Sequence, residues 1–304
     1  MASRLFTTRV LLIMGGLSAA YLLVSFWLLG FRPEQLWLVI VCNLLFFASG
    51  ATRSFVSAFS IFIIYWIIFD YMKAIPNYRF HPVQIESIYL LEKKWFGITG
   101  PGGLVLTPNE YWQMHQQSWI DFMAGLFYLC WIPVPLSFAA YLYFTRRRQY
   151  YFFAFTFLLV NLIGFIIYYS CPAAPPWYVS THGFVFDPHT AGSTAGLARF
   201  DALVHVPVFR SIYTQSSNIF AAMPSLHSAY PVIVFYYGVT NKLRVMSFVF
   251  AGVMGGIWFS AVYTGHHYVL DVLAGICCAV VGIALFRMVG NRLLPEHRFT
   301  PANN

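Results

Sequence analysis

Apolar residues occur in blocks about 20 long, separated by short polar or basic joints, along most of the chain. A helix of that length matches the hydrocarbon thickness of a bilayer. Eight such blocks predict membrane-spanning helices at about 8–30, 35–51, 54–72, 119–144, 150–170, 220–240, 245–263 and 267–288. The second is the shortest. Two long connectors remain, 73–118 and 171–219. The expected fold class is an all-α integral membrane protein of about eight transmembrane helices, with no separate soluble domain.

Composition agrees with the pattern. Of 304 residues, 59% are hydrophobic, 20% aromatic and only 9% charged, where a soluble protein carries roughly a quarter charged residues. The net charge of +8 reads as orientation signals at span ends. No basic stripe with interleaved aromatics points to nucleic acid. Cys42, Cys130, Cys171, Cys277 and Cys278 are odd in number, lie mostly inside apolar runs and lack metal-ligand spacing. Neither a disulfide framework nor a metal site is expected. Ser18-Ala19-Ala20 resembles a signal-peptide cleavage site, yet the apolar run continues from Tyr21 to Leu29, so the segment reads as a retained first span.

Placing the N-terminus in the cytoplasm puts Arg4, Arg9, Arg53, Arg146, Arg147, Arg148, Lys242, Arg244, Arg287, Arg292 and Arg298 on the inner face, on termini or short loops. Both termini are then cytoplasmic. Trp95, Phe96, Tyr111, Trp112 and Trp119 mark the 73–118 connector as a headgroup-level segment, either interfacial helices on the outer leaflet or a plain aromatic belt.

Two strings carry chemistry: Met223-Pro-Ser-Leu-His227 and His266-His-Tyr-Val-Leu-Asp271. Each lies at the edge of an apolar run, where an ionisable group is costly and usually has a task. The orientation above brings both to the non-cytoplasmic face. In a helix, His267 and Asp271 share a face, so the carboxylate can hold one imidazole nitrogen while the other meets substrate. His267 is the candidate nucleophile, Asp271 its orienting partner and His227 the general acid and base. Ser225 offers a hydroxyl to a phosphate oxygen, and a helix starting near Pro224 would aim free N–H groups at the same anion. His266 points about 100° away from His267 on a helix and is a candidate headgroup contact or an interfacial residue. Asp70 and Asp121, near outer span ends, are candidates to line a polar cavity. No zinc-protease, P-loop or dinucleotide motif is present, and no cofactor is expected.

The pairing of Pro-Ser-x-His with His-x-x-x-Asp resembles the type-2 phosphatidic acid phosphatase superfamily, over roughly residues 168 to 275. The resemblance implies a six-helix catalytic core at 54–304, preceded by two additional helices at 1–53. Two departures matter. The family's Lys-x6-Arg-Pro motif is absent, and Cys171-Pro-Ala-Ala-Pro-Pro-Trp-Tyr178 stands in its place. The family's Ser-Arg before the third motif is here Ser260-Ala261. Phosphoryl transfer still requires charge neutralisation, for which Arg210 and Arg199 are the first candidates, ahead of Lys73, Lys93 and Lys94. Ala-Pro-Pro-Trp-Tyr, Met-Pro-Ser-Leu-His-Ser and His-His-Tyr-x-x-Asp-Val look like the inositol phosphorylceramide synthase branch.

That branch implies lipid-to-lipid transfer through a phosphohistidine-type intermediate, with phosphatidylinositol as donor and the primary hydroxyl of ceramide or dihydroceramide as acceptor. Pro176 and Trp177 would then form part of a stiff rim over the headgroup. The active site would face the periplasm or a lumen, and the compact chain favours a bacterial inner membrane over a Golgi membrane. The alternatives are a lipid phosphate phosphatase using water, and a non-enzymatic transporter or scaffold.

Overall fold

The computed structural model describes residues 7–213, 218–296 and 299. Arg4 and Arg298, counted above among the basic ends, lie outside them. The chain divides into two compact units, 1–76 and 77–304.

In the first unit, α1 (Thr8–Leu29), α2 (Pro33–Ala48) and α3 (Gly50–Tyr71) run as three successive helices. Pro33 occupies the first turn of α2, where its missing N–H costs nothing. Ser49 caps α3 through a reciprocal pair with Thr52, which turns α2 into α3 without a loop. Asp70, expected as a candidate cavity-lining residue, has its Oδ1 paired with Lys73 Nζ at 2.7 Å.

The second unit begins with the connector. It folds into α4 (Glu86–Phe96), a two-residue hairpin of β1 (Ile98–Thr99) with β2 (Val105–Leu106), and α5 (Pro108–Met114). The expected interfacial segment thus has α4 and α5 with a small sheet between them. On α4 the large side chains Leu90, Leu91 and Trp95 are exposed, while Ile88 and Glu92 are buried.

The apolar helices of this unit are α6 (Ser118–Leu129), α7 (Pro133–Thr145), α8 (Arg147–Ser170), α12 (Leu226–Thr240), α13 (Arg244–Tyr263) and α14 (Val269–Leu293). Between α8 and α12 lie the short helices α9 (Pro176–His182), α10 (Ala198–Val204) and α11 (Val208–Tyr213). Among the described residues, six stretches are long and apolar enough to cross a membrane: α1, α3, Ser118–Thr145, α8, α13 and α14. With α2 at 16 residues and α12 at 15, two of the eight expected spans are shorter.

Three expected boundaries shift, each for a local reason. The block at 119–144 breaks at Cys130–Ile132, because Pro133 has no N–H for a continuous ladder. The block at 220–240 becomes helical only at Leu226. Before it, Ala173 N–H donates to Phe220 O (2.9 Å) and Ala222 N–H to Ala173 O (3.2 Å), holding the strand-like approach. The block at 267–288 becomes helical only at Val269, after an irregular bend.

Helix α12 packs against α13, α14, α8 and α7. Several polar groups inside this bundle pair with one another, as an apolar surround favours. Tyr230 donates to Asn161 Oδ1 at 2.6 Å, and Tyr237 OH lies 2.8 Å from Thr156 Oγ1 while donating to Phe152 O at 3.1 Å. Outward side chains such as Phe248, Val245, Phe144 and Ile166 are apolar and exposed, as lipid contact demands. All-helical apart from one tiny hairpin, the second unit presents its chemistry where α12, α13 and α14 meet.

Candidate active site

Gly265 makes the bend that ends α13. Its φ of +75° is one that L side chains rarely adopt. Directly after it, the N–H groups of His266 and His267 both donate to Ala261 O, at 3.1 and 3.0 Å. The next four residues therefore cannot continue α13, and α14 starts afresh at Val269. His267 precedes this helix, so it does not share a helical face with Asp271, as the spacing alone suggested. Asp271 instead turns back over the helix start, where its Oδ2 accepts the Tyr268 N–H at 2.8 Å. That same oxygen lies 3.5 Å from His267 Nδ1. The pair forms at a capped terminus rather than along a helix face.

His227 sits in the first turn of α12. Its Nδ1 is 3.1 Å from His267 Nε2 and 3.4 Å from the Tyr128 hydroxyl. The Trp131 ring stands edge-on to His227, 4.4 Å between centroids. The line Asp271–His267–His227–Tyr128 is thus continuous, with Asp271, Tyr128 and His267 buried. Burial pulls the His267 imidazole down to about 4, so it is neutral near pH 7. A proton on Nδ1, facing the carboxylate, leaves a lone pair on Nε2.

Ser225 is fully buried and caps α12. Its Oγ accepts from the Ser228 N–H at 3.3 Å and the Ser228 hydroxyl at 3.1 Å, and its own N–H donates to Asp271 O at 2.9 Å. In this arrangement the residue joins the two histidine strings. His266 faces away from the His267–His227 line. Its ring is stacked between Tyr213 (4.6 Å) and Tyr128 (5.5 Å), and its Nε2 lies 3.0 Å from Thr194 O. Burial, with His267 beside it, lowers its pKa to about 3, which fits a packed neutral ring.

Pro176 opens α9, and the Trp177 N–H donates to Gly265 O at 3.0 Å. Both are buried, Trp177 packing with Ile85, Ala174, Tyr178 and Phe220. The proline-rich segment therefore buttresses the His266–Tyr268 bend. It is held in turn by Gln84, whose N–H donates to Pro172 O (2.7 Å) and whose carbonyl accepts from Ala174 N–H (3.0 Å).

The candidate cations are distributed differently from the expectation. Arg199 Nε pairs with Asp121 Oδ1 at 2.6 Å, and the Tyr263 hydroxyl donates to the same oxygen at 2.9 Å. This triad ties α10, α6 and α13 together. Lys93 lies 3.5 Å from Glu110 Oε2 and over the Tyr89 ring. Lys94 is exposed, and Lys73 belongs to the Asp70 pair. Arg210 is exposed on α11 and lines a cavity of about 250 Å³ with Thr194, Ala198, Asp201, His205, Val206 and Pro207. Ala261 is buried in an apolar cluster with Tyr128, Leu197, Phe200, Phe209 and Val272, so aromatic packing surrounds the position of the family's arginine.

Sequence reasoning missed several residues that hold this site. The Asn109 side chain donates to Val262 O (2.7 Å) and His267 O (2.9 Å). Glu92 accepts the N–H groups of Val269 (2.9 Å) and Leu270 (3.1 Å). Glu92 reads in sequence as one charge in a Glu-Lys-Lys surface run, and Tyr128 as one aromatic among many in a span. The only available signal was a carboxylate and an amide inside a connector rich in aromatics.

Comparison with known proteins places the chain. A family model described as the PAP2 superfamily matches residues 100–285. The chain is 44% identical over 288 residues to a phosphoinositol dihydroceramide synthase of Bacteroides thetaiotaomicron, covering 94% of this chain and 93% of that protein. It is 33% identical over 151 residues to an inositol phosphorylceramide synthase of Candida albicans, covering 48% of this chain and 30% of that one. With the inositol phosphorylceramide synthase catalytic subunit of Schizosaccharomyces pombe, identity is 28% over 228 residues, 73% of this chain and 51% of the relative. No solved structure matches. On the extent of the family match and the near full-length bacterial relative, this multi-pass membrane protein belongs to the PAP2 superfamily.

Proposed function

We propose that the protein transfers phosphoinositol from phosphatidylinositol to the primary hydroxyl of dihydroceramide or ceramide. The carrying observation is the contiguous Asp271–His267–His227 line, 3.5 and 3.1 Å in its two steps. It occurs in a chain similar along nearly its whole length to a phosphoinositol dihydroceramide synthase.

In the first step, His267 Nε2 attacks phosphorus. The P–N bond forms, the P–O bond to diacylglycerol breaks, and His227 gives its proton to the departing oxygen. Asp271 offsets the positive charge on the phosphorylated imidazole. In the second step, His227 takes the proton of the sphingoid hydroxyl, that oxygen attacks phosphorus, and the P–N bond breaks. Inositol stays on phosphorus throughout, and the two histidines return to their starting states. For the phosphodiester to enter, the direct contact between His227 and His267 must open, exchanging one hydrogen bond for contacts with an anion.

In this reading eight spans cross the membrane, α2 and α12 included. The catalytic core of six spans is assigned to 54–304, with two further helices at 1–53. Both termini are cytoplasmic, and the histidines face the periplasm of a bacterial inner membrane. Arg210, beside the Thr194–Pro207 cavity, is the cation assigned to the anionic headgroup region, and Ser225 supplies a hydroxyl donor at the floor of the site. Pro176 and Trp177 shape the site's rim, with His266 packed behind it.

The test is purified protein in detergent with fluorescent dihydroceramide and either phosphatidylinositol or phosphatidic acid. Phosphoinositol-dihydroceramide is the expected product, and it disappears in H267A. Free phosphate from phosphatidic acid, with no sphingolipid product, would instead indicate a hydrolase.

A further inference from the structure

Beyond the two histidines and Asp271, the start of α14 depends on a residue from a distant part of the chain. The fully buried Glu92 of α4 reaches across 177 positions, its Oε1 accepting the Val269 N–H and its Oε2 the Leu270 N–H. Those are two of the four N–H groups that a helix start leaves without intrahelical partners. Asp271 takes the Tyr268 N–H. Two carboxylates therefore share one helix terminus, and only one of them faces His267.

This division of labour has a physical consequence. Without Glu92, the Val269 and Leu270 N–H groups would be partly buried donors that have lost their acceptor, which carries a cost. Asp271 is the acidic residue in the first turn of the same helix. Turning toward those N–H groups would draw it from His267, already 3.5 Å away. The same connector grips the bend from the other side, where Asn109 donates to His267 O at 2.9 Å. Both contacts fix the backbone around His267 and engage neither of its ring nitrogens.

We infer that Glu92 is a positioning residue for the transfer reaction: by capping α14, it reserves Asp271 for His267. The inference rests on the phosphohistidine reading of the site.

The experiment compares E92Q and E92A with the wild type in the detergent assay. Gln keeps one accepting oxygen, whereas Ala keeps none. The expected result is a kcat loss of about tenfold in E92Q and about a hundredfold in E92A, the scale on which displaced supporting groups act. KM for either lipid should stay within about twofold, because no substrate contact is removed. Unchanged kcat, a loss confined to KM, or a loss that only tracks the folded fraction would overturn the inference. If E92A does not fold, E92Q decides alone.

Orthovanadate separates this failure from failure of the proposed function. Vanadium NMR reads its binding to the histidine pair without any lipid turnover, with H267A as the non-binding control. E92Q should bind about tenfold more weakly than wild type. Equal binding would sink the role of Glu92, whichever lipids the enzyme uses.

Discussion

The backbone N–H of Ser225 donates to the backbone carbonyl of Asp271 at 2.9 Å, so the two histidine strings are joined main chain to main chain. Gly275 makes the approach possible. A Cβ at that position would collide with the Ser225 carbonyl, which is backbone and cannot swing aside. His227 and His267 are therefore placed by a glycine that touches neither. G275A should push α14 from the start of α12, costing about 1–3 kcal/mol. Activity should fall by at least about tenfold while the chain remains folded. Thermal unfolding and turnover, measured on one preparation, check both expectations.

Asp271 orients His267 and balances its charge, so D271N should be far worse than its size implies. The amide can still accept the Tyr268 N–H, which preserves the helix start. With its oxygen held there, beside His267 Nδ1 as well, the amide is a weaker acceptor for the imidazole N–H and lacks the negative charge that offsets the phosphorylated ring. Turnover should fall by about a thousandfold with little change in the unfolding midpoint. A phosphoenzyme trapped with labelled donor should be lost in proportion. Normal phosphoenzyme formation in D271N would refute the orienting role.

Apolar blocks were readable because bilayer thickness imposes a length on them, and the histidines because ionisable groups at the edges of such blocks are rare. The bend at Gly265 was not readable. Placing His267 on a helix required only a four-residue spacing, whereas the structure closes the pair through the Asp271 cap. Contacts between distant segments were equally hidden: Glu92 with Val269, Asn109 with His267 O, and Arg199 with Asp121. Each looks locally like a solvated charge or loop amide, since nothing in the neighbouring residues reveals the partner. The same reason explains why Arg199 looked available to a phosphate when a carboxylate already holds it.

That pairing leads to a prediction about Arg199. If its main role is to tie α10 to α6 and α13, then D121A should leave a charge behind and destabilise the fold. Removing one partner of a buried pair costs about 3–5 kcal/mol. Arg199 is about a quarter exposed (27%), so solvent screening lowers the expectation to about 1–3 kcal/mol. The double variant D121N/R199Q should recover most of this loss and keep KM for phosphatidylinositol within about twofold. A large KM increase in the double variant would mean that Arg199 binds the donor after all.

Glu92 should give the protein a measurable pH signature. Burial raises its pKa from the ordinary carboxylate value to about 7, opposed by the two N–H groups it accepts and reinforced by Asp271 nearby. The folded state thus holds a proton that the unfolded chain releases near 4.5. Between these values the native state binds more protons, so stability falls as pH rises, by on the order of 3 kcal/mol across the window. Above pH 7 both states are ionised at this residue and its contribution levels off. In E92Q this slope should vanish, because nothing titrates there. Unfolding midpoints of wild type and E92Q at intervals from pH 5 to 8 make the comparison, with other groups cancelling in the difference. A difference that stays flat over the whole range would show that Glu92 keeps an ordinary carboxylate pKa in the folded protein.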